Sequence, residues 1–222
     1  MKFMILIIGA YLLGSVPFGL IIAKAHGKDL RTIGSGNIGA TNLSRALGRK
    51  WAIFCFCLDV LKGLVPMLTA AKLLSPSPGT GELVLALAVG CAAVAGHIFP
   101  VYVKFKGGKG VATSFGVALG LWPYYTICSA VSFAIWVAAV SIWRYVSLAS
   151  IAASVAFPVG LIVLISLLAD WDLANLWPLL IAATAIPIMV IVRHRENIKR
   201  LIAGTESKIS GRKAKPPDAS GA

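Results

Sequence analysis

Apolar runs long enough to cross a bilayer dominate this sequence and exclude most folds otherwise open to a 222-residue chain. A helix needs ~20 predominantly apolar residues to span the hydrocarbon core. Such runs occur near 3–23, 51–74, 83–103, 147–169 and 174–192. Another stretch, 111–143, is too long for one span and is broken at Trp122-Pro123. It divides into a short helix (111–122) and a full one (124–143). The expected fold is an all-α integral membrane protein of about seven transmembrane helices. The first run has a single lysine at position 2, no small-x-small cleavage site, and apolar character through Ile22. It reads as an uncleaved helix rather than a secretion signal.

Charge sets the orientation. Only 13% of residues are charged, against ~25% in soluble domains, so no water-facing surface is available. Mean hydropathy is +0.86. The net charge of +13 would suggest nucleic acid in a soluble chain, but here it is distributed by loop. Segment 24–50 carries Lys24, Lys28, Arg31, Arg45, Arg49 and Lys50; segment 104–110 carries Lys104, Lys106 and Lys109; more follow from Arg193 onward. Loops 75–82 and 170–173 have no Lys or Arg and hold Glu82, Asp170 and Asp172. The positive-inside rule then puts the amino terminus outside and the carboxy terminus in the cytoplasm. Trp122, Trp171 and Trp177 fall where an outer aromatic belt belongs. Cys55, Cys57, Cys91 and Cys128 sit in apolar spans without zinc-type spacing, which implies packing rather than metal or disulfide. Residues 1–206 read as one transmembrane domain, and 207–222 as a polar, disordered cytoplasmic tail.

Glycine, hydroxyl, amide and basic side chains gather in three cytoplasmic segments. In Gly34-Ser-Gly-Asn-Ile-Gly-Ala-Thr-Asn-Leu-Ser-Arg45 a polar loop opens a short helix ending at Gly48. Ser35 or Asn37 can cap it, its free N–H groups can hold an anion, and Arg45 shares a face with Thr41. An ordinary glycine turn with a topology charge explains this segment equally well. Gly34-x-Gly36-x-x-Gly39 matches a dinucleotide fingerprint, but no apolar strand precedes it and Asp59 lies inside a span.

Lys104-Phe-Lys-Gly-Gly-Lys-Gly-Val-Ala-Thr113 is the second segment. Its glycines, Gly107, Gly108 and Gly110, allow close backbone approach to a ligand, and Lys109 supplies a point charge beside Thr113. It is not a Walker A loop, because Gly110 stands where Ser or Thr belongs. A basic hairpin facing anionic lipid accounts for Lys104 and Lys106 but less well for the glycines. The third is Arg193-His-Arg-Glu-Asn-Ile-Lys-Arg-Leu-Ile-Ala-Gly-Thr-Glu206, in which His194 and Asn197 share a helical face. Cations also suit a helix end there, so His194 and Asn197 are the pair that stands out.

Asp59 and Lys62, three apart inside the second span, are expected to pair within the bundle, and His97 to hydrogen-bond there. No two carboxylates are spaced for magnesium, no Gly-x-Ser-x-Gly elbow is present, and no histidine has an aspartate five residues on.

The runs GSGNIGATNLSRALG (34–48), DVLKG (59–63), GHIFPVYVKFKGGKGVAT (96–113), RYVSLASI (144–151) and RHRENIKRLIAGTE (193–206) resemble the bacterial membrane acyl-phosphate:glycerol-3-phosphate acyltransferases. The resemblance implies a seven-helix inner-membrane enzyme with a cytoplasmic site. It would move an acyl group from acyl phosphate to the 1-hydroxyl of glycerol 3-phosphate, giving lysophosphatidic acid and phosphate. On this resemblance Ser35, Arg45, Lys109, His194 and Asn197 would grip glycerol 3-phosphate. Asn37, Thr41 and the amides of Gly107 and Gly108 would hold the donor phosphate. Gly34, Gly36, Asn42, Gly110, Thr113 and Arg193 complete the expected substrate-binding set. The acyl tail would occupy a lipid-open groove between helices. Membrane lipid is the other expected partner; no cofactor, metal or nucleic acid is expected, and the chain reads as a monomer. The alternative is a transporter for a phosphorylated solute. Against it, the polar residues lie on one face rather than at the midplane, and no inverted repeat is visible.

Overall fold

The computed structural model describes residues 1–209; the rest of the polar tail lies outside the described residues. Among the described residues the chain forms ten α-helices and no strand. They are α1 (Lys2–Gly14), α2 (Phe18–Ala25), α3 (Ala40–Leu47), α4 (Arg49–Ala71) and α5 (Thr80–Ile98), then α6 (Val111–Gly120), α7 (Tyr124–Trp143), α8 (Val146–Leu167), α9 (Leu173–Arg193) and α10 (Arg195–Ile202). Among the described residues six stretches are long and apolar enough to cross a membrane, with α1 and α2 together forming the first.

Two differences from the expected spans have plain causes. At ~1.5 Å per residue the ten residues of α6 reach only about half the ~30 Å core, so α6 cannot cross alone. It packs along α4 instead. A methyl added to Gly63 would lie 2.2 Å from the Thr113 carbonyl oxygen, and one on Gly116 would lie 2.0 Å from that of Val60. The two backbones therefore touch, as small residues permit between membrane helices. The run read as one helix over 3–23 is broken between Gly14 and Phe18, where Pro17 has no N–H to continue it. The freed Val16 carbonyl accepts a hydrogen bond from Lys62 Nζ at 3.0 Å, which satisfies the break internally.

Asp59 and Lys62 pair as their spacing predicts, 2.8 Å apart and buried. Tyr124 meets Trp171 with ring centroids 5.1 Å apart, so the α6–α7 and α8–α9 turns share the tryptophan-bearing end of the bundle. At the other end a second small core (Leu20, Leu30, Ile38, Leu43, Cys55) anchors the glycine-rich segment before α3 onto α2 and α4, with Val103 packed against it. Past α10 the chain turns back: Ile209 N–H donates to the Arg144 carbonyl at 2.8 Å, so residues 207–209 run beside the α7–α8 turn.

Candidate active site

Asn42 shapes the first segment. It is 1% exposed. Its Nδ2 lies within 3.0 Å of the carbonyls of Leu30, Ile33 and Asn37, and its Oδ1 accepts from the Ser35 amide at 3.1 Å. Asn42 thus fastens the loop through four hydrogen bonds, all to backbone groups. Nor do Ser35 and Asn37 cap α3: Gly39 is the N-cap, and Asn37 Oδ1 accepts from its amide at 2.9 Å. Helix α3 ends at Gly48 as expected, and Gly48 adopts φ +87°. Gly34 takes φ +55°, and a methyl there would meet Asn42 Oδ1 at 2.5 Å and Arg45 Cδ at 3.1 Å. Arg45 therefore folds back over the glycine turn, from the same helix face as Thr41.

The second segment uses its glycines differently from expectation. Gly108 N–H donates to the His97 carbonyl at 3.1 Å and is not free to hold a phosphate. A methyl on Gly107 would lie 2.2 Å from the same carbonyl. The close approach is to the end of α5. Arg193 is likewise a strap: its guanidinium reaches the Gly107 and Gly108 carbonyls at 3.3–3.4 Å. Thr113 is fully buried at the α4–α6 crossing. Gly110, at φ +89°, turns the chain into α6 and leaves Lys109 pointing back toward the third segment.

There the segments meet. Lys109 Nζ donates to Asn197 Oδ1. Asn197 Nδ2 donates to Glu206 Oε1 at 2.6 Å, Arg200 Nε donates to Glu206 Oε2 at 2.7 Å, and Ser147 Oγ to Oε1 at 2.9 Å. Burial pushes the Lys109 ammonium down to about 8; Glu206 opposes that shift, while Arg200, Arg45 and Arg193 add to it. Burial also opposes ionisation of Glu206, but hydrogen bonds from Asn197, Arg200 and Ser147 outweigh it and hold the carboxyl below its usual range.

His194 is buried at the α9–α10 junction, where its Nδ1–H donates to the Val190 carbonyl at 2.8 Å. Burial, then the Lys109 charge, lowers its pKa to about 4. At neutral pH the ring is uncharged and Nε2 carries a lone pair. So acidic a conjugate acid makes a weak base, but Nε2 remains a good hydrogen-bond acceptor. Ser147 and Glu206 were not singled out from sequence; the one signal was that both lie in runs shared with the acyltransferases. Asp59, Lys62 and His97 lie below the cluster, on the far side of the glycine loop.

Beside this cluster an apolar groove lies between α6, α7, α8 and α9. Val111, Ser114 and Val190 line its end nearest Lys109 and His194, while Phe133, Phe157 and Ala183 line the interior. A cation-rich cluster beside an apolar groove suits a substrate with a charged head and an alkyl chain.

A family model described as glycerol-3-phosphate acyltransferase matches residues 4–204. The chain belongs to that family. It is 47% identical over 203 residues to the glycerol-3-phosphate acyltransferase of Geotalea daltonii, covering 91% of this chain and 95% of the relative. It is 46% identical over 209 residues to that of Aquifex aeolicus, covering 94% and 100%. Among solved structures it is similar to PlsY, an integral membrane glycerol 3-phosphate acyltransferase. The glycerol 3-phosphate form gives a TM-score of 0.81 at 42% identity, over 95% of this chain and 96% of that one. The lysophosphatidic acid form gives 0.78 at 41%. The acyltransferase fold, an all-helical membrane bundle, is therefore the fold of this chain.

Proposed function

We propose that the protein transfers a fatty acyl group from acyl phosphate to the 1-hydroxyl of glycerol 3-phosphate, releasing lysophosphatidic acid and inorganic phosphate. The observation that carries this is the half-buried Lys109 held on Asn197 where two cation-rich segments meet, beside the apolar groove. A related acyltransferase solved in glycerol 3-phosphate and lysophosphatidic acid forms supports the acceptor and the product. Arg45, Lys109 and Ser35 grip the acceptor phosphate, and His194 Nε2 and Asn197 hold its hydroxyl. Thr41 and the first α3 amides receive the donor phosphate. The acyl chain fills the groove.

Acyl phosphate is a mixed anhydride, so activation resides largely in the substrate. The acceptor oxygen attacks the acyl carbonyl, the carbon–oxygen bond to phosphate breaks, and the hydroxyl proton passes to the departing phosphate. The protein positions the two groups and neutralises developing charge, without metal or cofactor. The depressed pKa of His194 supports this division of labour. The basic end faces the cytoplasm of a bacterial inner membrane, the amino terminus lies outside, residues 1–206 form one catalytic domain, and the enzyme acts as a monomer.

Purified protein mixed with palmitoyl phosphate and glycerol 3-phosphate, without metal or ATP, tests the reading. Phosphate release that depends on glycerol 3-phosphate supports it, and release without acceptor, or none, overturns it. His194→Ala should weaken glycerol 3-phosphate binding; loss of turnover with binding intact would make histidine the base instead.

A further inference from the structure

Beneath the glycine loop lies a buried polar cluster that the proposed reaction does not use. Lys62 and Asp59, one turn apart on α4, are each 3% exposed and pair at 2.8 Å. Lys62 also holds the Val16 carbonyl at the α1–α2 break. Asp59 Oδ1 lies 3.7 Å from His97 Nδ1 on α5. The opposite edge of that imidazole faces the loop, because a methyl built on Gly108 would meet His97 Nε2 at 2.1 Å. The His97 carbonyl accepts the Gly108 amide. The next residue is Lys109. Contacts therefore run without a gap from the α1–α2 break, through α4 and α5, to the residue before the site's central cation.

Stability alone is a poor reason for such a cluster, since apolar replacement of a buried ion pair is often neutral or stabilising. A fixed geometry is a better one. Gly107, Gly108 and Gly110 deprive the loop of side chains with which to anchor itself, and glycine is the most conformationally free residue. The loop must be held from outside, by Arg193 on one side and His97 on the other.

We propose that Asp59, Lys62 and His97 are positioning residues: a bracket inside the membrane that fixes the Gly107-Gly108 backbone and so aims Lys109 at the phosphate of glycerol 3-phosphate. This rests on the reading that Lys109 binds that substrate. Asp59, paired with Lys62, lies against one edge of the imidazole, and the other edge meets the loop.

Calorimetric binding of glycerol 3-phosphate, with KM for both substrates and the melting temperature, is measured for wild type, His97→Ala, Gly108→Ala and the double variant. Each single change should weaken glycerol 3-phosphate binding by about tenfold or more and leave the donor KM unchanged, since a misplacement of ~1 Å alone can cost 10²-fold. In the double variant the effects should not multiply, because removing the imidazole makes room for the new methyl. Wild-type affinity in His97→Ala overturns the proposal. So does loss of kcat with both KM values unchanged, which marks only a lost folded fraction, and so do effects that multiply. Should His97→Ala not fold, Gly108→Ala reads the same contact from the loop side. A wild type that fails to bind glycerol 3-phosphate removes the underlying reading as well, whereas a binding wild type with indifferent variants removes this inference alone.

Discussion

The Lys109 ammonium donates a hydrogen bond to the side-chain oxygen of Asn197, 88 positions away in the chain. Asn197 passes the interaction on to Glu206, which Arg200 and Ser147 also hold. A cation on a loop of glycines is thereby fixed against the end of the last span. The amide does not neutralise it, so the ammonium keeps its charge for an anion.

Lys109→Ala and Arg45→Ala should each lower kcat/KM for glycerol 3-phosphate by ~10²–10³-fold, the usual cost of losing a preorganised charge or donor. Steady-state kinetics with the acceptor varied checks this. Unchanged kinetics in either variant removes that residue from the site.

The pKa of Lys109, about 8, predicts an alkaline limit on activity. The ammonium is charged below that value and neutral above it, so kcat/KM for glycerol 3-phosphate should fall as pH rises through about 8. Lys109→Arg stays charged, and its pH–rate profile should lose that limb whatever its absolute rate. An identical limb in Lys109→Arg would assign the titration to another group.

Glu206 makes the third segment pH-sensitive at the acid end. Its folded pKa lies below the ordinary 4.5, so its stabilising contribution is complete above that value and is lost as pH falls through the folded pKa. Glu206→Gln should melt lower than wild type near neutrality by ~1–3 kcal/mol of lost stability, and the gap should close as pH drops below 4.5. A gap independent of pH would contradict the ion-pair account.

Filling the groove should separate the two substrates. Ala153 lines its wall, and Ala153→Phe places a ring where the alkyl chain would lie. The donor KM should rise about tenfold or more while glycerol 3-phosphate affinity stays put, since overpacking acts only where it occupies space. Equal effects on both substrates would show that the groove is not the chain's site.

How far the sequence led depends on the range of the cause. Span lengths and loop charges are local, so the bundle and its basic end could be read directly; α6 could not be seated, because its place is set by the Gly63 and Gly116 contacts with a distant helix. Lys109 and Asn197 stood out from their neighbours by residue type and spacing, and the two meet. Asn42 and Gly108 carried the same composition signal, but the Asn42 amide and the Gly108 N–H bond to loop and helix-end carbonyls, which residue type alone cannot reveal. Glu206 was hidden among cations, where a carboxylate reads as one charge among many until its three partners are seen.

The central claim is that three distant segments close on one glycerol 3-phosphate, and calorimetric binding of that ligand to one variant from each tests it most directly. Arg45→Ala, Lys109→Ala and His194→Ala should each weaken binding by about tenfold or more, the loss expected when a hydrogen-bond partner of a charged phosphate substrate is removed. Wild-type affinity in any one of the folded variants would contradict the shared site.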